Sequence, residues 1–385
     1  MELIFSRNEK HFSECCVSVK EVRNVHRFHE GIEGYAPTPL LSLDALSREL
    51  GVSQFLVKDE SKRFGLNAFK ALGGSYAIAK IICERLGIPL DETSFSALRS
   101  GKYDAALKEM TFITATDGNH GRGVAWTAKM LGCKAIVYLP SGSAKERLEN
   151  ILALGAKAEI TDMNYDDTVR YAASLAEEKG WVLVQDTAWE GYEAIPADIM
   201  RGYTTMGCEI DRELSQKPTH LFLQAGVGSM AGAMAGYFAS LRKDECPRII
   251  IVEPDKADCI FRTARANDGR LHVVTGSMDS MMAGLCCGEP CTLGWEILKN
   301  TADAFISCSD EVSAYGMRLL GKPRGNDPAI ISGESGAVTA GAAALIALDA
   351  EKRAALGIDE SSRILVISTE GDTDKENYRK ILSDT

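Results

Sequence analysis

Short apolar segments alternate with longer amphipathic ones between residues 111 and 186. The apolar segments TFITAT (111–116), KAIVYLP (134–140), AKAEIT (156–161) and WVLVQD (181–186) are predicted to be strands. The segments between them have helical spacing and end in glycine at Gly132, Gly155 and Gly180, a common helix stop. Strands that recur about every 22 residues with helices between them predict βαβ units and a parallel sheet.

A second α/β series starts near Ile195. Its predicted strands are THLFLQ (219–224), RIIIVEP (248–254), DAFISCS (303–309) and RILVIST (363–369), and SGESGAVTAGAAALIAL (332–348) is predicted to be a buried helix. Residues 87–110 are more polar and are expected to form a connector or short helices.

These patterns predict an α/β protein with two open-sheet domains whose strands are mostly parallel. Residues 1–80 and 195–385 are expected to form the larger domain, and residues 81–194 the smaller one. A ligand site is expected in the cleft between the two domains.

Composition and charge narrow the classes of partner. The chain has 385 residues, of which 45% are hydrophobic and 25% charged, and its net charge is −11. The acidic balance argues against a nucleic-acid or membrane-surface partner, because both call for basic patches. No apolar run approaches the roughly 18 residues of a membrane span, and MELIFSRNEK lacks the apolar core of a signal peptide. We therefore expect a cytoplasmic protein.

Cysteine and histidine positions do not predict a metal site. The eleven cysteines are scattered, and neither the pair Cys15 and Cys16 nor the group at 286–291 has the C-x-x-C spacing of structural zinc. Reduced thiols are expected, although a disulfide within the 286–291 group stays open. His26 and His29 share a helix face but have no companion ligands, so they are predicted to be structural.

A glycine loop, AGVGSMAG (225–232), follows the predicted strand THLFLQ. Glycines let the backbone approach a ligand, and the free N–H groups at a helix start favour an anion such as phosphate. The loop lacks the lysine and hydroxyl pair of a nucleotide P-loop. Gly226, Gly228 and Ala231 also match G-x-G-x-x-A, and Glu253 ends the next strand, so an NAD site remains an alternative.

Two further segments carry candidate chemistry. TDGNHG (116–121) follows a predicted strand at its carboxyl end, where ligands of open parallel sheets bind, although a capped turn is the alternative. In NAFKALGGSY (67–76), Lys70 lies among small and apolar residues in a predicted helix that packs closely through Gly73 and Gly74. A lysine in a helix usually faces solvent. Burial here is expected to lower its pKa and favour the neutral, nucleophilic amine.

Pyridoxal 5′-phosphate (PLP) accounts for the three features together, because it needs an amine, an anion site and hydrogen bonds around its ring. An NAD-dependent dehydrogenase would leave Lys70 and TDGNHG unused. A non-catalytic binding protein gives no reason for a buried lysine.

In order and spacing, the three motifs resemble the tryptophan-synthase-like (fold type II) family of PLP enzymes. The longer strings FGLNAFKALGGSYA, TDGNHGRGVAW, TDMNYDDTV and VQDTAWEGY are similar to one branch, the ammonia-lyases that act on 2,3-diaminopropionate. The resemblance runs from about residue 30 to the C-terminus, and it implies a homodimer with a small amino-acid substrate.

The resemblance also implies roles for individual residues. Lys70 is expected to carry the cofactor as a Schiff base and Asn119 to donate to its 3′-oxygen. Thr369, or less well Ser368, is expected to face the pyridine nitrogen. The cofactor phosphate is expected to be held by the backbone of Gly226, Val227, Gly228, Ser229 and Met230.

Two carboxylates set this chain apart within the resemblance. Dehydratases of the family usually carry a small neutral residue where Asp117 stands, and Asp186 ends a predicted strand and should point into the cleft. Two carboxylates suit a substrate with an additional ammonium group. The freed Lys70 amine is expected to remove the α-proton of the L-isomer, and the family implies that Asp117 removes that of the D-isomer. A serine/threonine dehydratase remains an alternative function. For Asp117 and Asp186, capping of a turn remains an alternative role.

Overall fold

Eleven strands form two separate sheets in residues 1–11, 18–241 and 245–383, which the computed structural model describes. The strands are β1 Glu2–Phe5, β2 Leu40–Ser42, β3 Gln54–Asp59, β4 Thr111–Ala115, β5 Lys134–Leu139, β6 Lys157–Ile160, β7 Val182–Leu183, β8 His220–Gln224, β9 Arg248–Pro254, β10 Ala304–Cys308 and β11 Arg363–Ser368. The α-helices are α1 Val19–Glu30, α2 Asp44–Leu50, α3 Ala71–Leu86, α4 Phe95–Leu98, α5 Asp104–Glu109, α6 Asn119–Leu131, α7 Lys145–Leu152, α8 Tyr165–Lys179, α9 Ala194–Glu213, α10 Ser229–Leu241, α11 Cys259–Ala266, α12 Thr292–Thr301, α13 Asp310–Gly321, α14 Glu334–Leu348, α15 Ala350–Ala355 and α16 Lys375–Ser383.

The larger sheet has seven strands in the order β1-β10-β9-β8-β11-β3-β2. The five central strands are parallel, and only the edge strands β1 and β2 pair antiparallel. Alternate residues of β8 enter two different cores, Leu221 and Leu223 on one face and Phe222 on the other. The sheet is therefore buried on both faces, as parallel sheets require. As predicted, α14 is almost wholly buried.

The smaller sheet has four parallel strands in the order β6-β5-β4-β7. Its strands and helices fall where the periodicity predicted them, and α6 and α8 end at Gly132 and Gly180, which have φ of 76° and 67°. The helix α7 ends at Leu152, before the predicted stop at Gly155. The strand β7 is shorter than the predicted 181–186. Beyond it the Gln185 side chain hydrogen-bonds Ala115 N and O, both at 3.0 Å, and so replaces backbone pairing.

The helix that follows Lys70 packs through its glycines, as the sequence predicted. A Cβ on Gly73 would lie 2.6 Å from both Ile199 Cγ2 and Tyr203 Cε1 of α9, and one on Gly74 would lie 3.5 Å from the Gly123 backbone of α6. Close packing against both helices fixes α3, and Lys70 is the residue that immediately precedes it.

Strands before residue 111 were not assigned from the sequence. The segment QFLVKD, which forms β3, contains Lys58, yet that side chain is fully buried. Its Nζ lies 2.8 Å from Glu209 Oε2 and 2.6 Å from the Thr38 carbonyl oxygen. A charged side chain paired this closely tolerates an interior position, which the local pattern could not indicate.

The predicted domain bounds stay a prediction, although the strands are arranged in agreement with them. All strands of the larger sheet lie within residues 2–59 and 220–368, and those of the smaller sheet within 111–183. The polar stretch 87–110 contains the short helices α4 and α5, as expected. None of the helices in the described residues is both long enough and apolar enough to cross a membrane.

His29 is a structural residue, as predicted. It lies on α1 and is fully buried, with Nδ1 2.7 Å from Thr205 Oγ1 and Nε2 3.0 Å from the Leu72 carbonyl oxygen. Burial lowers the pKa of His29 to about 3, so it is neutral. His26, on the same helix, lies 3.0 Å from the Tyr35 hydroxyl through its Nε2.

Candidate active site

One cavity between the two sheets brings together all ten site residues expected from the sequence. The residues come from the carboxyl ends of strands and from the starts of α3, α6 and α10. They are Lys70, Asp117, Asn119, Asp186, Gly226, Val227, Gly228, Ser229, Met230 and Thr369.

The glycine loop between β8 and α10 is shaped for an anion. Gly228 has a φ of 95°, and a Cβ on Gly226 would lie 3.1 Å from Leu285 Cα, so both positions favour glycine. The backbone N–H groups of residues 226–230 have no acceptor within the described residues. Five unpaired donors at the start of a helix could hold an anion.

Lys70 and Asp186 form an ion pair in the cavity through Nζ and Oδ2. Their side chains are 18% and 5% exposed. Burial alone would lower the pKa of Lys70, but Asp186 and then Tyr203 raise it above its usual value. The expectation that burial lowers this pKa was therefore wrong, because a nearby carboxylate outweighs desolvation.

Asp186 is held as a carboxylate by its surroundings. Burial would raise its pKa, but His120 and Lys70 lower it to about 2. Its Oδ1 lies 3.4 Å from the Tyr165 hydroxyl and 3.3 Å from Gln185 Nε2. These partners are side chains around the cavity, which does not support the alternative that Asp186 only caps a turn.

The turn TDGNHG is capped by Thr116, not by Asp117. Thr116 Oγ1 accepts hydrogen bonds from Gly118 N at 2.9 Å and Gly121 N at 3.0 Å. The Asp117 carboxylate is left to line the cavity and lies 3.4 Å from Arg147 Nη1. The capping alternative for Asp117 was therefore wrong.

Asn119 and Thr369 both line the cavity. Asn119 Nδ2 donates to Glu370 Oε2 at 2.5 Å, which leaves its second N–H free for a ligand. Thr369 is adjacent to Glu370 and lines the cavity. Ser368 does not line it, because its hydroxyl is fully buried and donates to Ser332 Oγ at 2.7 Å.

Several residues around this site are not predicted from the sequence. Arg147 Nη1 lies 3.1 Å from the Asp117 carbonyl oxygen and Nη2 lies 3.4 Å from Thr373 Oγ1, so it contacts Asp117 without lining the cavity itself. In SAKERLEN, Arg147 looks like any surface arginine of an amphipathic helix. Glu370 and Gln224 line the cavity. The strand-end rule that selected Thr369 applies to both and could have found them.

The cysteines and Glu253 do not add a second chemistry. Cys286, Cys287 and Cys291 are free thiols, and burial raises the pKa of the cavity-lining Cys287 well above its usual value. The pair Cys15 and Cys16 lies outside the described residues. Glu253 accepts hydrogen bonds from Ile260 N at 2.9 Å and Phe261 N at 2.6 Å, so its carboxylate caps α11 and does not face a nucleotide.

Two open α/β sheets with a lysine and an anion-binding glycine loop in the cleft define a fold type II enzyme. The chain belongs to the pyridoxal-phosphate dependent enzyme family, whose model matches residues 32–370, and within it to the branch of the diaminopropionate ammonia-lyases. The predicted resemblance, fold class and cofactor are confirmed, and the NAD-dependent alternative was wrong.

Similar proteins support this branch. The chain is 52% identical over 371 residues to the diaminopropionate ammonia-lyase of Escherichia coli strain K12, which covers 95% of this chain and 92% of that protein. Crystal structures of the Escherichia coli enzyme in its holo form and with D-serine each have a TM-score of 0.92 and 49% identity, and cover 99% of this chain and 96% of that chain. A catabolic L-threonine dehydratase from Staphylococcus aureus strain USA300 is 27% identical over 289 residues, 74% of this chain and 71% of that protein.

Proposed function

We propose that this chain eliminates ammonia from the D- and L-isomers of 2,3-diaminopropionate and yields pyruvate and a second ammonia. The observation that carries the proposal is that Lys70, Asp117 and Asp186 line one cavity beside the anion-binding glycine loop. The identity with the Escherichia coli enzyme and the D-serine complex of that enzyme support it.

The cavity residues fit PLP. The unpaired N–H groups of residues 226–230 suit its phosphate, Asn119 has a free N–H for the ring oxygen, and Thr369 has a hydroxyl for the ring nitrogen. Lys70 is the residue that would bind the cofactor covalently. When bound, PLP withdraws electrons from the substrate and so makes the α-proton removable.

The protein's own groups would move that proton. We propose that the Lys70 amine, neutral once it has been released from the cofactor, accepts it from the L-isomer and that the Asp117 carboxylate accepts it from the D-isomer, because both side chains line the cavity at different positions. Asp186 orients Lys70 through their ion pair. Arg147 fixes Asp117, because it contacts both the backbone oxygen and the carboxylate.

The charge of the cavity favours a diamino substrate over serine or threonine. Asp117, Asp186 and Glu370 line it, whereas Lys70 is the only cation that lines it among the described residues. The carboxylates suit a β-ammonium group, which the hydroxyl of serine does not replace.

We expect pyruvate release from diaminopropionate to exceed that from serine by about 100-fold or more in kcat/KM. The measurement is coupled pyruvate formation with both substrates, and 2-oxobutyrate formation from threonine, at equal concentrations. Equal or faster turnover of serine or threonine would support the dehydratase alternative instead.

Gly228→Ala should weaken PLP binding by about tenfold or more, because the φ of 95° strains any other residue and reorients the N–H groups. The measurement is titration of the apoprotein with PLP. Gly132→Ala, at a helix end with φ of 76° and open space around its Cα, is the matched control. Its positive φ also disfavours alanine, but the variant should bind PLP as tightly as the wild type, and an equal loss would contradict the phosphate role.

The homodimer, the cytoplasmic location and the bounds 1–80 with 195–385 and 81–194 remain our proposals. Size-exclusion chromatography with light scattering tests the first. The bounds are supported by the separation of the two sheets along the chain.

A further inference from the structure

Gln224 is the last residue of β8 and lines the cavity just before the glycine loop. Its side chain is buried, and its Nε2 lies 3.1 Å from the Ser335 carbonyl oxygen, 3.0 Å from the Ile367 carbonyl oxygen and 2.9 Å from Thr369 Oγ1. Backbone carbonyls only accept hydrogen bonds, so the amide nitrogen, not the amide oxygen, must occupy this position.

The Gln224 amide fixes the direction of the Thr369 hydroxyl. The amide nitrogen only donates, and its two hydrogens serve three acceptors, so one hydrogen is shared. Thr369 Oγ1 is the nearest of the three at 2.9 Å, so it accepts from Nε2 and still has its own hydrogen to donate. The part of the chain that the structure describes offers no second partner for this oxygen. Thr369 is 4% exposed, and a buried hydroxyl donor requires an acceptor. That acceptor must come from the group that occupies the cavity.

We propose that Gln224 is a positioning residue that makes the Thr369 hydroxyl a hydrogen-bond donor to the ring nitrogen of bound PLP. The proposal deepens the role of Thr369 given under Proposed function and rests on it. A ring nitrogen that accepts a hydrogen bond from Thr369 cannot also hold a proton that points at the Thr369 oxygen. Gln224 therefore favours bound PLP with an unprotonated ring nitrogen.

Packing alone does not explain an amide at this position. Gln224 Oε1 is buried and has no partner within residues 1–11, 18–241 and 245–383, and an unpaired buried acceptor costs stability. Methionine has a similar size and would avoid this cost. The hydrogen bonds of Nε2 are therefore the physical reason to keep the amide.

A double-mutant cycle on PLP affinity tests the proposal. Apoprotein is titrated with PLP for the wild type, Gln224→Met, Thr369→Val and the double variant. Thr369→Val should weaken binding about tenfold, as expected for one hydrogen bond, and Gln224→Met about three- to tenfold. The double variant should bind no more weakly than Thr369→Val within about twofold, because the two residues act on the same contact. Losses that multiply would overturn the proposal.

Two control variants distinguish this role from a general loss of stability. Gln54→Met replaces a glutamine of the same sheet, on β3, and Thr339→Val removes a buried hydroxyl on α14. Neither residue lines the cavity, and both variants should bind PLP like the wild type. Thr369→Ser keeps the hydroxyl without changing Gln224 and should restore wild-type affinity. A loss there equal to that of Thr369→Val would overturn the proposal even if Gln224→Met failed to fold.

The absorption spectrum of bound PLP is a second measurement, because it responds to hydrogen bonds at the ring and not to packing elsewhere in the protein. Gln224→Met and Thr369→Val should change the spectrum in the same direction, and Gln54→Met should not change it. A wild-type spectrum and affinity in Gln224→Met would overturn the proposal. If wild-type protein does not turn over diaminopropionate, the proposed substrate fails, yet the cycle still reports on Gln224 because it needs only bound PLP.

Discussion

Replacing Lys70 by alanine should lower turnover of both isomers by about 1000-fold or more and remove the visible absorption of lysine-bound PLP. Lys70 is the only lysine that lines the cavity within the described residues, so no other amine can take its place there. The α-proton of the L-isomer would lose its proposed acceptor as well. The measurements are the spectrum of the PLP-loaded variant and pyruvate formation from each isomer.

PLP should still bind to Lys70→Ala without a covalent bond, because the loop at 226–230 keeps its unpaired N–H groups. Lys80→Ala is the matched control. Lys80 lies on α3, the helix that Lys70 precedes, and pairs with Asp198 at 2.8 Å, but it does not line the cavity. This control should keep both absorption and turnover. A Lys70→Ala protein that retained the visible band would contradict the covalent assignment.

Periodicity predicted the elements of the smaller sheet because α6, α7 and α8 are amphipathic, and α6 and α8 end at glycines. It could not predict the early end of β7, since the Gln185 side chain replaces backbone pairing with Ala115. Nor could it find β3, where Lys58 is neutralised by Glu209, a residue far away in sequence. The local sequence pattern predicts helices and strands well where their pairing and burial do not depend on a side chain from a distant part of the chain.

The same limit applies to the site. The small and apolar neighbours of Lys70 predicted its partial burial correctly, but its pKa depends on Asp186, which lies 116 residues further along the chain. The roles of Arg147 and Gln224 also arise from contacts across the fold. Sequence motifs could identify residues that line the cavity. They could not identify the residues that contact these side chains from elsewhere in the fold.

Asp117→Asn should lower turnover of D-diaminopropionate by about 100- to 10,000-fold, the usual loss when a general base is removed, and turnover of the L-isomer by less than about tenfold. Asparagine has the same shape but does not accept the proton. The turn should survive, because Thr116 caps it and Arg147 keeps its 3.1 Å contact with the backbone oxygen of residue 117. Steady-state kcat/KM for each isomer measures the effect.

The ratio of kcat/KM between the two isomers tests the role of Asp117, because the loss of a binding role alone would lower kcat/KM for both isomers. Asp374→Asn is the matched control. Asp374 caps α16 through the Asn377 N–H at 3.0 Å, a contact that asparagine retains, and it does not line the cavity. Its variant should treat both isomers like the wild type. Equal losses for the two isomers in Asp117→Asn would remove the stereochemical role of Asp117 and leave it a binding residue, whereas a loss confined to the D-isomer would place the two proton acceptors on opposite faces of the substrate.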